Sequence, residues 1–81
     1  MATNYAYYYA IINANTGMCT GVRDTSDYVL NPCYVPIEVY DGNYLLKYYH
    51  PIPEAVESFE DFQGSWYSDA AHTIPWTSSL I

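Results

Sequence analysis

The sequence predicts a mainly β fold, α+β at most: a small antiparallel sheet of two hairpins with one short acidic helix. Three observations carry this. Residues 4–12 form an aromatic and branched run without Gly or Pro, a composition that packs well on a pleated surface. Residues 34–40 alternate Val35, Ile37 and Val39 against Tyr34, Pro36, Glu38 and Tyr40, the period of a half-buried strand. Asp41-Gly42 then separates that run from a second aromatic run at 44–49, an arrangement that reads as a hairpin.

The first run places Tyr5, Tyr7, Tyr9 and Ile11 on one face and Ala6, Tyr8, Ala10 and Ile12 on the other. Neither face is charged, so this strand is expected in the sheet interior or with its second face covered. Residues 13–17 turn the chain, Gly17 supplying a positive φ, and residues 18–23 return as the partner strand. Residues 24–32 hold Asp24, Ser26, Asp27, Asn31 and Pro32 and read as a surface loop. Pro36 has no N–H to give to a ladder, which puts its strand at an edge or gives it an irregular start.

The segment 51–64 changes character and looks like an acidic insertion. Pro53 suits a first helical position, Glu54 and Glu57 a first turn, and Gly64 the residue past the end. A helix here lines Val56, Phe59 and Phe62 along one side and turns Glu54, Glu57, Glu60 and Asp61 outward. Glu60 and Asp61 then meet the negative end of its dipole at a cost of ~0.3–1 kcal/mol, a local conflict of the kind found at functional sites; the alternative is a single fraying turn at which no such cost arises. Residues 65–68 read as a short strand, and residues 73–76 are apolar enough to pack back onto the sheet. Eighty-one residues allow one domain, spanning 1–81.

Charge and composition narrow the function classes. A hydrophobic fraction of 51% speaks against disorder despite a net charge of -7. Arg23 and Lys47 alone oppose nine carboxylates, too few cations to hold a phosphate backbone. Direct nucleic-acid or membrane binding is therefore not expected, and a protein partner with a basic surface fits better. Solubility of a sticky aromatic surface is the simpler account of the same charge. The first ten residues carry no Lys or Arg, so no secretory signal peptide is expected. No apolar run approaches the ~20 residues of a membrane-spanning helix.

The reactive residues form no familiar motif. Cys19 and Cys33, with residues 20–32 between them, are expected as reduced, buried thiols, the alternative being a disulfide worth ~3 kcal/mol. Cys19, Cys33, His50 and His72 lack the close pairs of a zinc site. Gly17, Gly21, Gly42 and Gly64 match no phosphate-loop spacing, and no nucleophile motif is present. No enzyme activity, cofactor or metal is expected. Eleven tyrosines exceed what one small core encloses, so some are expected on the surface, where clustered aromatics mark association sites. The candidate aromatic contacts are Tyr5, Tyr7, Tyr8, Tyr9, Tyr48 and Tyr49, whose alternative role is sheet packing. The candidate acidic contacts are Asp24, Asp27, Glu54, Glu57, Glu60 and Asp61.

Tyr8-Tyr9-Ala10-Ile11-Ile12-Asn13, then Gly17, Cys19 and Gly21-Val22, then Tyr44-Leu45 and Lys47-Tyr48-Tyr49, resemble small accessory proteins of Firmicute phages and prophages. A closing aromatic segment similar to Trp66-Tyr67 and Ile74-Pro75-Trp76 belongs to the same pattern. The resemblance covers about two thirds of the chain on structural motifs; Leu46 stands where glycine is common in that group, and 51–64 departs from it. It implies a non-enzymatic protein of the virion or host cytoplasm, tail-associated, that docks through tyrosines or self-associates. The alternative it implies is an anti-CRISPR-like inhibitor whose carboxylates occupy a basic groove of a host defence protein. A small-ligand binder with a tyrosine pocket is a third reading.

Overall fold

The computed structural model describes residues 7–81; Tyr5 and the other residues before 7 that the sequence assigns to the first strand lie outside the described residues. The fold is mainly β, two small antiparallel sheets. β1 (Tyr7–Ile12) lies between β2 (Cys19–Thr25) and β3 (Tyr34–Ile37). β4 (Tyr48–His50) pairs with β5 (Ser65–Tyr67).

β1 is central because both its faces are apolar, and both are covered. Tyr9 and Ala10, adjacent and on opposite faces, are fully buried. The side carrying Ala10 and Ile12 faces a core built with Cys19, Val35, Tyr44 and Tyr49. On the other, Tyr9 packs edge-on to Tyr34 and Phe59, at centroid distances of 5.8 and 6.2 Å. The loop at 13–17 is closed by the Gly17 N–H donating to the Asn13 carbonyl (2.7 Å), and Gly17 takes φ 76°. The return strand runs two residues longer than its composition suggests, through Asp24 and Thr25, and a bulge shifts its register between Ile11 and Ile12.

The register shows which backbone groups face outward. Ile12 N–H donates to the Cys33 carbonyl and Asn13 N–H to that of Met18. By the alternation of antiparallel ladders, residues 8, 10 and 12 address β3 while 7, 9 and 11 address β2. Tyr34 and Pro36 then point away from the sheet. The Tyr34 N–H is taken by the Asn31 carbonyl (2.9 Å), and Pro36 has none, so β3 is the edge its proline foretells. The far edge of the other sheet repeats the device. Pro75 bridges Tyr67, flanked by Ser68 N–H to the Ile74 carbonyl and Trp76 N–H to the Trp66 carbonyl, which leaves the proline nitrogen outward.

Two expectations are overturned. β3 does not form a hairpin with the run at 44–49 but pairs with β1, setting Val35 opposite Ala10. Asp41 instead caps the 3-10 turn Gly42–Tyr44, its carboxylate accepting from Asn43 N–H (2.9 Å), and this turn delivers Tyr44 into the core between Trp66 and Trp76, at 5.1 and 4.9 Å. The acidic helix over 51–64 is also absent; the segment holds only the 3-10 turn Phe59–Asp61. A helix would align Phe59 with Phe62, whereas here Phe59 joins Tyr7, Tyr9 and Tyr28 while Phe62 packs on Tyr49. Burial of the two rings in separate clusters outweighs a marginal short helix.

The two sheets are stitched where the β1–β2 loop meets β4. Tyr49 N–H donates to the Gly17 carbonyl (2.9 Å), Cys19 N–H to that of Lys47 (2.7 Å), and Leu46 N–H to that of Cys19 (3.0 Å). The seam requires a turn over residues 44–47, closed by Lys47 N–H to the Tyr44 carbonyl (3.0 Å). Leu45 (φ -55°, ψ 136°) and Leu46 (φ 68°) give it type II geometry, whose third residue favours glycine. Leucine there is strained by about 1–2 kcal/mol and is 67% exposed. No helix among the described residues is long and apolar enough to cross a membrane.

Three aspartates hold the irregular segments by accepting hydrogen bonds. Asp41 takes the Ser78 hydroxyl (2.5 Å) and Asn43 N–H, pinning the C-terminal segment to the 3-10 turn. Asp61 takes Glu57 and Ser58 N–H (2.7 and 3.1 Å). Asp69 takes the Thr73 hydroxyl and the N–H groups of Ile74 and Thr73 (both 2.9 Å). In the order given, these donors hold each carboxyl below its ordinary range. An unfolded chain then binds protons from about pH 4 downward while the folded one still refuses them. The contribution of these three aspartates to stability is accordingly expected to be level above about pH 5 and to fall as pH drops through 4 and below. Urea midpoints across that range check this. Replacing all three aspartates by asparagine is expected to lower the neutral midpoint and flatten the acid limb.

Candidate functional site

The strongest surface feature is an aromatic corner built where the loop after β2 meets the 3-10 turn Phe59–Asp61. Tyr28, 61% exposed, lies edge-on to Tyr7 (6.1 Å, 71°) and to Phe59 (6.0 Å, 88°), and Tyr7 lies edge-on to Phe59 (6.3 Å, 63°). Three rings at steep mutual angles thus line one depression of about 330 Å³, together with Leu30, Ser58 and Glu57. A second depression of about 260 Å³, lined by Tyr8, Ile37 and Glu38, shares Tyr7 and Phe59 with it. The two form an aromatic floor with a carboxylate on each part.

The site is positioned by the core beneath it. Tyr9 Oη accepts the Val29 N–H (2.7 Å) and so anchors the loop that carries Tyr28 and Leu30. Asp61, by accepting from Glu57 and Ser58 N–H, sets the turn that presents Phe59 and leaves the Glu57 side chain at the rim.

The sequence-predicted residues separate accordingly. Of the aromatic set, Tyr7 and Tyr8 reach the floor. Tyr9 and Tyr49 are core side chains with their hydroxyls occupied, Tyr49 accepting from Gly64 N–H (2.9 Å), so neither is a surface contact. Burial pushes the Tyr49 hydroxyl pKa up. Tyr48 is half-buried in the second sheet, and Tyr5 lies outside the described residues. Of the acidic set, Asp24, Asp27, Glu54, Glu57, Glu60 and Asp61 are all exposed, but without a helix they share no single stripe. Asp61, besides being exposed, caps its turn, and its place in the first turn relieves the dipole conflict expected of it.

No family model, curated protein or solved structure matches the chain. The site is therefore read from its own geometry.

Tyr28 and Tyr40, the latter 52% exposed, were not singled out by the sequence. Tyr40 packs edge-on to Tyr8 (5.9 Å) and donates its hydroxyl to the Val22 carbonyl (3.3 Å). The available signal was the run Tyr28-Val29-Leu30, three consecutive apolar side chains in a loop that is polar before it. Also unforeseen is the stacking of His50 on His72, centroids 4.2 Å apart at 13°, with Tyr67 edge-on to His72 (5.4 Å). Among the described residues no group of three His, Cys, Asp or Glu gathers around a common point. Cys19 and Cys33 are both free thiols; burial pushes the Cys19 thiol pKa up, and its Sγ donates to the Gly21 carbonyl (3.2 Å).

Proposed function

We propose that this protein works without catalysis, by docking the aromatic corner of Tyr7, Tyr28 and Phe59 onto a protein partner. The observation that supports this is the exposure of Tyr28 beside two rings that already hold it. A preordered aromatic surface loses little entropy on binding and gives large contact area, the property that makes tyrosine a hot-spot residue. Glu57 and Glu38 on the rim, on a chain of net charge -7, favour a partner surface that is positively charged. The resemblance to phage accessory proteins supplies the context: a small virion- or tail-associated component acting through this face.

The test is capture of the partner from phage-infected or lysogenic cells. Aromatic docking is expected to retain it in about 1 M salt, where the screening length is ~3 Å. The double variant Tyr28→Ala with Leu30→Ala is expected to lose it, whereas Glu54→Gln with Glu60→Gln keeps it. Release by salt, with the aromatic variant retaining the partner, overturns the proposal in favour of charge mimicry.

A further inference from the structure

Resting on that reading, we infer that the depression lined by Tyr7, Tyr28, Phe59 and Glu57 receives a single arginine side chain of the partner. The walls are three aromatic rings set at 63–88° to one another, so a group entering between them meets rings in more than one orientation. Ring faces carry negative quadrupole density and attract cations. Glu57 lines the same depression, and neither Arg23 nor Lys47 does. Lys47 has its Nζ 4.9 Å over the Trp76 ring, so this fold already holds one cation on an aromatic face elsewhere.

Guanidinium matches this combination better than ammonium. It is planar, so it stacks on a ring face while its in-plane N–H groups reach a carboxylate in a two-point contact. A lysine ammonium has no flat face to stack and remains strongly hydrated. A tetraalkylammonium is drawn to the rings but has no N–H for Glu57. The expected order is therefore set by two contacts acting together, and the lining supplies both. Leu30 adds an apolar wall for the three-carbon stem, which long cationic side chains lay along hydrophobic surface.

Four small probes test this against the intact protein: N-acetyl-arginine methylamide, its neutral isostere N-acetyl-citrulline methylamide, N-acetyl-lysine methylamide and tetramethylammonium. Amide shifts are followed in two-dimensional NMR. The arginine probe is expected to shift the amides of Tyr28, Leu30, Ser58 and Phe59, and to saturate at least about tenfold below the citrulline probe. Glu57→Gln and Tyr28→Ala are each expected to weaken the arginine probe about three- to tenfold, with the remaining amide spectrum unchanged, which shows the fold intact. Equal binding of citrulline, tighter binding of lysine or tetramethylammonium, or shifts confined to other residues overturns the inference. Partner capture by the Tyr28 and Leu30 face does not depend on these probes. A partner retained by Glu57→Gln with no arginine binding thus removes this inference and leaves the docking function standing.

Discussion

Gly17→Ala is expected to destabilise the protein by about 2–4 kcal/mol, from two costs that fall on the same atom. Gly17 sits at φ 76°, where a side chain is strained. A Cβ there would also lie 2.5 Å from the Tyr49 carbonyl oxygen. That oxygen is backbone and cannot swing aside. Relief must come from opening the contact in which Tyr49 N–H donates to the Gly17 carbonyl, and this contact is the seam between the sheets. A domain of this size has a total stability of only ~4–12 kcal/mol, so the variant loses a large share of it. Gly42 is the control: a Cβ there meets nothing within 4 Å, and Gly42→Ala is expected to stay within about 1 kcal/mol of the parent. Urea unfolding followed by the fluorescence of Trp66 and Trp76 separates the two. Equal midpoints for both variants would remove the seam from the account of stability.

Tyr9→Ala is expected to cost about 3–5 kcal/mol, the range for truncating a large buried ring. Tyr9 is 0% exposed and packs edge-on to Tyr34 and Phe59. Tyr9→Phe keeps the ring and removes only the acceptor for the Val29 N–H (2.7 Å), at about 1–3 kcal/mol. The pair matters for function because Tyr9 carries the floor beneath the aromatic corner. Binding lost in Tyr9→Ala reports a collapsed platform, whereas Tyr9→Phe is expected to keep the partner at temperatures where it remains folded. Thermal unfolding and partner retention measured on the same preparations check both halves. A Tyr9→Phe variant that is fully folded and yet does not bind would give the hydroxyl a role beyond anchoring the loop.

The contrast between Tyr9 and Tyr28 shows what could be read in advance. That β1 is central, that Pro36 marks an edge, and that a short strand starts at residue 65 with a segment folding back onto it all follow from local chemistry, and the structure has each, the strand ending at Tyr67, one residue before the expected 68. The hairpin expected at Asp41-Gly42 fails because turn propensity is local whereas strand pairing is decided by what becomes buried. Val35 gains a place opposite Ala10, and Tyr44 gains one between two tryptophans far along the chain. The helix expected at 51–64 fails for a related reason: Pro53, Glu54, Glu57 and Gly64 satisfy the start and stop signals, but Phe59 and Phe62 are claimed by different clusters. Alternation along β1 gives no means of choosing the exposed tyrosines, since both its faces are covered. Among the described residues the surplus of tyrosines over interior places does reach the surface, but at Tyr28 and Tyr40, beyond the strand-centred set.

The two outward prolines have a consequence for the protein in bulk. Pro36 and Pro75 stand where an unpaired N–H would otherwise invite a neighbouring chain to add a strand. A polypeptide with eleven tyrosines and a hydrophobic half carries the composition from which fibrils template themselves when such edges stand open. With those two borders silenced, many copies can be crowded together without polymerising along them. Association there is left to side chains, where it can be selective.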